Sequence, residues 1–114
     1  MAERNAQPDK TNPLAICQRG RLYEYLPVCQ LNGNTFRVAR VANRTLPFHA
    51  HRDSDELFYV LEGGFWLETD EGRTRLDAGD MLVVPKGTRH RPVVTDEVKV
   101  LLGELAGTLT EENS

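Results

Sequence analysis

Short apolar runs alternate along this chain with clusters of turn-forming residues. The runs are rich in β-branched and aromatic residues, which favour strands. The clusters between them, such as Asn32-Gly33-Asn34 and Gly63-Gly64, contain residues that tolerate positive φ. No stretch in the middle of the chain repeats apolar residues with helical spacing over two turns, so we expect little helix. The pattern predicts strands over 21–28, 35–42, 56–61, 65–69, 81–84, 90–94 and 98–102.

Several short strands at regular intervals predict an all-β sandwich or barrel. With 114 residues the chain is long enough for one modest core and too short for two. Both ends are polar and lack an apolar period. We therefore expect a flexible N-terminal arm over 1–13, a β-barrel domain over 14–106 and a C-terminal tail over 107–114.

The predicted strand that begins at Glu56 is apolar on both faces. Because side chains alternate along a strand, an inward Glu56 places Phe58 and Val60 inward as well. The residues between them are also apolar, and a strand that is apolar on both faces is buried on both. Its outer face must pack against a second sheet or another subunit, which supports a homodimer.

Charge and composition set limits on partners and location. The formal net charge of -3 gives no electrostatic reason to expect nucleic acid or an anionic membrane as partner. No apolar run is long enough to span a bilayer, and the first residues do not form a signal peptide, so we expect a cytoplasmic protein. Cys17 and Cys29 are expected to be reduced thiols in that compartment, with a disulfide between them as the alternative.

All three histidines of the chain fall into one spaced pattern with a glutamate. His49 and His51 project from the same side of an extended segment, and Glu56 opens the next strand. His90 lies near the start of a later strand, where it can face the other three across a small barrel. A hydrogen-bonded histidine without metal is the ordinary alternative, but here no histidine lies outside the pattern.

Three imidazoles and one carboxylate suit a single divalent transition-metal ion. The ligand types do not choose among iron, manganese, nickel, zinc, cobalt and copper. Four protein ligands on an octahedral ion leave two positions for water, dioxygen or a pair of substrate oxygens. Because every histidine is used in this way, a Ser-His-Asp or Cys-His hydrolase is disfavoured.

These residues resemble the two signature motifs of the cupin superfamily, specifically of its small single-domain members. Asn43 stands at the first glycine of the first motif and also tolerates left-handed backbone. Val94 replaces the final asparagine of the second motif and leaves the ligands untouched. The remaining matches are His49, His51, Glu56 and Gly63 in the first motif, and Gly79, Pro85, Gly87 and His90 in the second.

The resemblance implies a double-stranded β-helix (jelly-roll) barrel, usually dimeric, with metal held by His49, His51, Glu56 and His90. The segment 55–63 is similar to cupins grouped as mannose-6-phosphate-isomerase-like, which does not imply sugar isomerisation. Cupins with this ligand set include dioxygenases, decarboxylases, isomerases and lyases, besides proteins without a known reaction. Fold alone does not decide among them.

Four arginines could recruit an anionic substrate. Arg89 and Arg91 flank His90, but if His90 points inward then alternation turns both of them outward. Arg44 and Arg52 lie near the ligand loops and are the better candidates for a pocket mouth.

Two hypotheses about function follow. The first is a metal-dependent enzyme that acts on a small oxygenated molecule; the second is a cupin that binds metal and metabolite without turnover.

Few polar side chains are expected to face the interior. Arg37 and Arg40 have opposite parity in one strand, so at most one of them faces inward. Tyr59 has the opposite parity to the inward Glu56. We find no inward acid–base candidate, so the sequence favours an apolar lining, and enzyme status stays open.

Overall fold

The computed structural model describes residues 7–107, and in that range the chain forms one helix and nine strands. The first six residues of the predicted arm and residues 108–114 of the predicted tail lie outside the described residues. The elements are α1 (Pro13–Arg19), β1 (Leu26–Leu31), β2 (Asn34–Val41), β3 (Arg44–Thr45), β4 (Glu56–Glu62), β5 (Gly64–Thr69), β6 (Gly72–Asp77), β7 (Met81–Val84), β8 (His90–Val94) and β9 (Val98–Leu105).

The strands form two antiparallel sheets. One has five strands in the order β1-β2-β9-β4-β7, and the other has four in the order β3-β8-β5-β6. Strands that are distant in sequence are neighbours in both sheets, as in a jelly-roll barrel. The all-β prediction is confirmed.

Apolar side chains from both sheets fill the space between them. Phe58 of β4 and Phe65 of β5 contact each other with ring centroids 5.6 Å apart. Each buried side chain of this size contributes about 1.5 to 3 kcal/mol relative to an exposed one. The predicted alternation of β4 is confirmed, because Glu56, Phe58 and Val60 are buried while the residues between them are partly exposed.

Helix α1 has no counterpart among the predicted elements. It is only seven residues long, too short for an apolar period to show in the sequence. Asn12 caps it, since its Oδ1 accepts a hydrogen bond of 3.0 Å from the amide of Ala15.

The two cysteines are not bonded to each other. Cys17 is buried and Cys29 is exposed, and both are free thiols. Among residues 7–107 no helix is long and apolar enough to cross a membrane.

The strand predicted over 21–28 is wrong at its start. Strand β1 begins only at Leu26, because Tyr23 takes a left-handed φ of 68° that interrupts an extended chain. Strand β6 was missed because its sequence is mostly polar, and only Leu76 within it is buried. Strand β3 was also missed, and its two residues carry no pattern.

Two motif positions adopt backbone that most residues avoid. Asn43 has a φ of 49°, as its place at a glycine position of the motif led us to expect. Gly63 has a φ of 80°, and a Cβ added there would lie 2.4 Å from the carbonyl oxygen of Glu97. Glycine is therefore required at the turn that ends β4.

Candidate metal centre

Backbone hydrogen bonds tie together the segments that carry the histidines. The amide of His49 donates to the carbonyl of His90 at 2.9 Å, and the amide of His90 donates to the carbonyl of His49 at 2.8 Å. The amide of Gly87 donates to the carbonyl of His51 at 2.8 Å. His49 thus forms an isolated bridge with His90 of β8. This bridge presents both imidazoles to one point.

The structure brings the four predicted ligands together. His49, His51, Glu56 and His90 each offer one ligand atom, and these atoms all lie within 4.8 Å of one another. Oε1 of Glu56 lies 3.2 Å from Nε2 of His51 and 3.1 Å from Nε2 of His90. His49 is partly buried and the other three are buried. The geometry suits a single ion. That the site binds metal stays a prediction.

Two of the imidazoles are oriented by backbone carbonyls. Nδ1 of His49 lies 2.9 Å from the carbonyl of Pro47, and Nδ1 of His90 lies 2.8 Å from the carbonyl of Thr88. A carbonyl can only accept, so each Nδ1 carries the proton and each neutral ring turns the lone pair of Nε2 inward. Metal-binding histidines are usually held by such outer partners.

The resulting donor set needs a cation. With its proton on Nδ1, a neutral His90 directs a lone pair at Oε1 of Glu56, and two acceptors at 3.1 Å require a proton or a metal between them. Nε2 of His49 and Oε2 of Glu56 are buried and find no hydrogen-bond partner in the part of the chain that the structure describes. Such orphaned buried atoms are costly unless a bound group satisfies them. The residues present therefore fit a divalent metal.

The protonation states agree with this assignment. Burial raises the pKa of Glu56, but when no metal is bound a proton shared between the carboxylate and the imidazoles of His51 and His90 outweighs burial and holds the pKa below its usual value. Burial lowers the pKa of His49, although the carbonyl of Pro47 opposes this effect. An ionised carboxylate and a neutral imidazole are the forms that bind metal.

A second buried carboxylate lies beside the four ligands. Alternate residues of β9 line the core up to Leu102, and Glu104 continues this row with only 1% of its surface exposed. The pairing of Leu57 with Gly103 places Glu56 opposite Glu104 one position further on. Burial and the neighbouring Glu56 carboxylate raise the pKa of Glu104 to about 7.

Glu104 corrects the expectation that no acid–base candidate faces inward. It was missed because the predicted strand ended at Leu102, whereas β9 runs on to Leu105. The signal was available in the sequence, since extending the alternation of this strand by two residues places Glu104 on the inner face.

The two arginines beside His90 point outward, as alternation predicted. Nε of Arg91 lies 2.7 Å from Oε1 of Glu68, and Arg89 pairs with Asp70. Both guanidinium groups also lie over the ring of Phe48, at 4.4 and 4.2 Å from its centroid. They form an outer cluster and take no part in the metal centre.

Strand β2 turns one of its two arginines inward. Arg37 shares the parity of Ala39 and Val41, which belong to the core. Arg40 lies on the other face, where its Nε donates to Oε2 of Glu97 at 2.8 Å. The positive charge of Arg37 opposes the rise in the pKa of Glu104, so the two side chains sense each other's charge.

An apolar recess is lined in part by Phe58, whose ring also lies beside the ring of His90. Arg44 borders this recess, and its guanidinium lies 5.8 Å from the ring centroid of Tyr23. Arg52 is not at the recess, because its side chain is 93% exposed and pairs with Asp53. Other residues that line the recess are Tyr25, Leu46, Phe65, Val94 and Val100.

Comparison with known proteins identifies a family. The family model described as the cupin domain matches residues 36–103, which is more than half of the chain. The protein YdbB of Bacillus subtilis (strain 168) is 42% identical over 65 residues, which cover 56% of this chain and 57% of YdbB. The acireductone dioxygenase of Heterostelium pallidum is 31% identical over 90 residues, which cover 75% of this chain and 60% of that enzyme.

A solved structure shows the same architecture. A cupin-2 domain containing protein from Shewanella frigidimarina superposes with a TM-score of 0.70 at 29% identity, over 75% of this chain and 83% of that one. The match spans less than two thirds of each of the two curated relatives named above.

Proposed function

The chain belongs to the cupin family, and on this premise we propose that it holds one divalent transition-metal ion and acts on a small oxygenated metabolite. His49, His51, Glu56 and His90 are the ligands. The observation that carries the proposal is the convergence of their four donor atoms within 4.8 Å. The orphaned Oε2 of Glu56 supports it further.

The bound metal supplies Lewis acidity or oxygen activation. The chain's own residues hold and orient the site. The carbonyls of Pro47 and Thr88 fix the imidazole rings of His49 and His90. Phe58, buried beside His90 with ring centroids 6.3 Å apart, excludes water from the core side. Similarity to an acireductone dioxygenase supports the dioxygenase type among the open reactions, which also include isomerase, lyase and decarboxylase types.

A binding module without turnover is the second candidate. The largely apolar lining of the recess favours it, since acid–base chemistry needs polar groups near the reacting atoms. Glu104 favours the enzyme, because it places a buried carboxylate opposite Glu56.

The open coordination positions can be tested with a simple chelator. Protein freed of metal by a chelating resin is reloaded with Co²⁺ and titrated with oxalate, which offers two oxygens. We expect the d–d absorption of cobalt to change and to saturate. A spectrum that stays constant at high oxalate would contradict the proposed substrate positions, whether or not the metal itself binds.

A homodimer is proposed on the outer face of the five-stranded sheet. Met81 and Val83 of β7 are 65% and 54% exposed. They pair directly with Tyr59 and Leu57 of β4, and Tyr59 also pairs with Leu101 of β9. We define these five residues as the outer apolar face, and a second copy of the chain is its proposed partner.

Two further expectations from the sequence stay predictions. They are the cytoplasmic location and the mannose-6-phosphate-isomerase-like subgroup.

A further inference from the structure

Both carboxylate oxygens of Glu104 are buried and have no hydrogen-bond partner among residues 7–107. The side chain closes the inward row of β9 and has 1% of its surface exposed. Buried polar groups are almost always paired, and a buried charge without partners is costly. A carboxylate that is kept in this position therefore points to a group that satisfies it when the site is filled.

The surroundings of Glu104 exclude two simpler roles. A structural ion pair with Arg37 would use the carboxylate oxygens, and neither oxygen has a hydrogen-bond partner in the described range, Arg37 included. A fifth metal ligand would belong to the cluster of donors within 4.8 Å, which among the described residues consists of the three histidines and Glu56. Glu104 lies next to this cluster, opposite Glu56, where it can contact a molecule bound to the metal.

We propose that Glu104 accepts a hydrogen bond from a hydroxyl group of the molecule that chelates the metal. The site then selects oxygen chelators that carry an O–H group, such as α-hydroxy acids, over chelators that lack one. This inference rests on the proposed function, because it needs a metal with open positions.

Charge strengthens the same selectivity. Glu56 and Glu104 already place two carboxylates beside the ion, and the positive charge of a bound metal favours the ionised form of each. A chelator with two carboxylates brings a further negative charge close to Glu104 and therefore binds more weakly, although it still binds the metal. A hydroxy acid brings one carboxylate, and its hydroxyl donates to Glu104 in a charge-assisted hydrogen bond.

Two small probes separate these effects. Glycolate chelates through a carboxylate and a hydroxyl, whereas oxalate chelates through two carboxylates. Each is titrated into the Co²⁺-loaded wild type, E104Q and E71Q, with binding followed by the cobalt d–d absorption. E71Q is the matched control, because Glu71 is exposed in the β5–β6 turn and its loss changes the net charge equally.

We expect the ratio of glycolate to oxalate affinity to fall at least about tenfold in E104Q and to stay constant in E71Q. E104D, which keeps a carboxylate on a shorter side chain, should retain part of the preference and serves if E104Q fails to fold. If both probes bind to E104Q and the ratio of their affinities is unchanged, the proposed role of Glu104 is wrong, whereas the proposed function is unaffected. Loss of Co²⁺ binding by E104Q would overturn it in favour of a metal ligand. If neither probe alters the wild-type spectrum, the proposed open positions fail, and this inference fails with them.

Discussion

Nε2 of His90 lies 3.1 Å from Oε1 of Glu56, and this contact joins the two sheets of the barrel. His90 begins β8 in the four-stranded sheet, and Glu56 begins β4 in the five-stranded sheet. Both side chains are buried, with 1% and 0% of their surfaces exposed. A cation held here connects the two layers directly, so metal binding and the stability of the barrel are coupled.

Replacing His90 by alanine should remove the metal and preserve the fold. We expect affinity for Ni²⁺ to fall by at least about 100-fold, because even the outer partners of metal ligands are worth 10–100-fold. The apolar core of Phe58 and its neighbours is separate from the ligand, so the far-UV circular dichroism should keep its β signature. R91A is the control, since Arg91 is the next residue of the same strand and pairs outward with Glu68. Outright unfolding of H90A would show that the side chain is needed for the fold itself.

Metal affinity should depend on pH in a defined direction. A protonated imidazole cannot bind metal, so affinity falls as pH falls through the histidine range. Burial lowers the pKa of His49 below its usual value of 6.5. His49 therefore stays neutral, and able to bind metal, in more acidic solution than an exposed histidine would. Calorimetric titration of Ni²⁺ between about pH 7.5 and pH 5 measures the effect. Constant affinity across this range would contradict ligation by histidine.

Glu104 should make the metal-free protein less stable as pH rises. Its pKa is raised from 4.5 to about 7, so between these values the folded protein keeps a proton that the unfolded chain loses. The free energy of unfolding therefore falls across this window, and the full penalty is present above pH 7. The neighbouring groups Glu56, His51, Arg37 and His90 are retained in E104Q, which lacks only the titrating carboxyl group.

Urea unfolding of chelator-treated protein checks this expectation. E104Q should be more stable than the wild type by roughly 1 to 3 kcal/mol above neutral pH, and the difference should shrink toward pH 4.5. The exposed E71Q variant should follow the wild-type curve. Parallel curves for E104Q and the wild type would show that the Glu104 carboxyl ionises normally.

The outer apolar face should mediate a dimer. Lysines at Met81 and Val83 place two charges on its most exposed part and should yield a monomer in sedimentation velocity, whereas the wild type sediments as a dimer. L22K is the control, because Leu22 is also an exposed apolar residue but lies outside the outer apolar face. A monomeric wild type would refute the homodimer.

Local pattern predicted most of this fold because strand alternation is a short-range property. The inward row Glu56, Phe58 and Val60 followed from parity alone. The position of the His49 segment could not be predicted from local pattern, because it depends on a tertiary contact. Its bridge to His90 sets both its position and its register. Helix α1 is too short for periodicity, and its start depends on the cap formed by Asn12.

In the candidate site, too, some residues could be predicted from the sequence and one could not. The four ligands were visible because histidine is rare in this chain and its spacing is distinctive. Glu104 was not, since acidic residues are common and its meaning depends on the register that places it opposite Glu56.

The metal content of the protein tests the central claim most directly. Elemental analysis by mass spectrometry is applied to protein purified without chelators and to protein reconstituted with each candidate ion and then desalted. We predict about one transition-metal ion per chain, because four converging donors form one mononuclear site. A double variant, H51A with H90A, should hold none. Absence of metal from both the native and the reconstituted wild type would contradict the account.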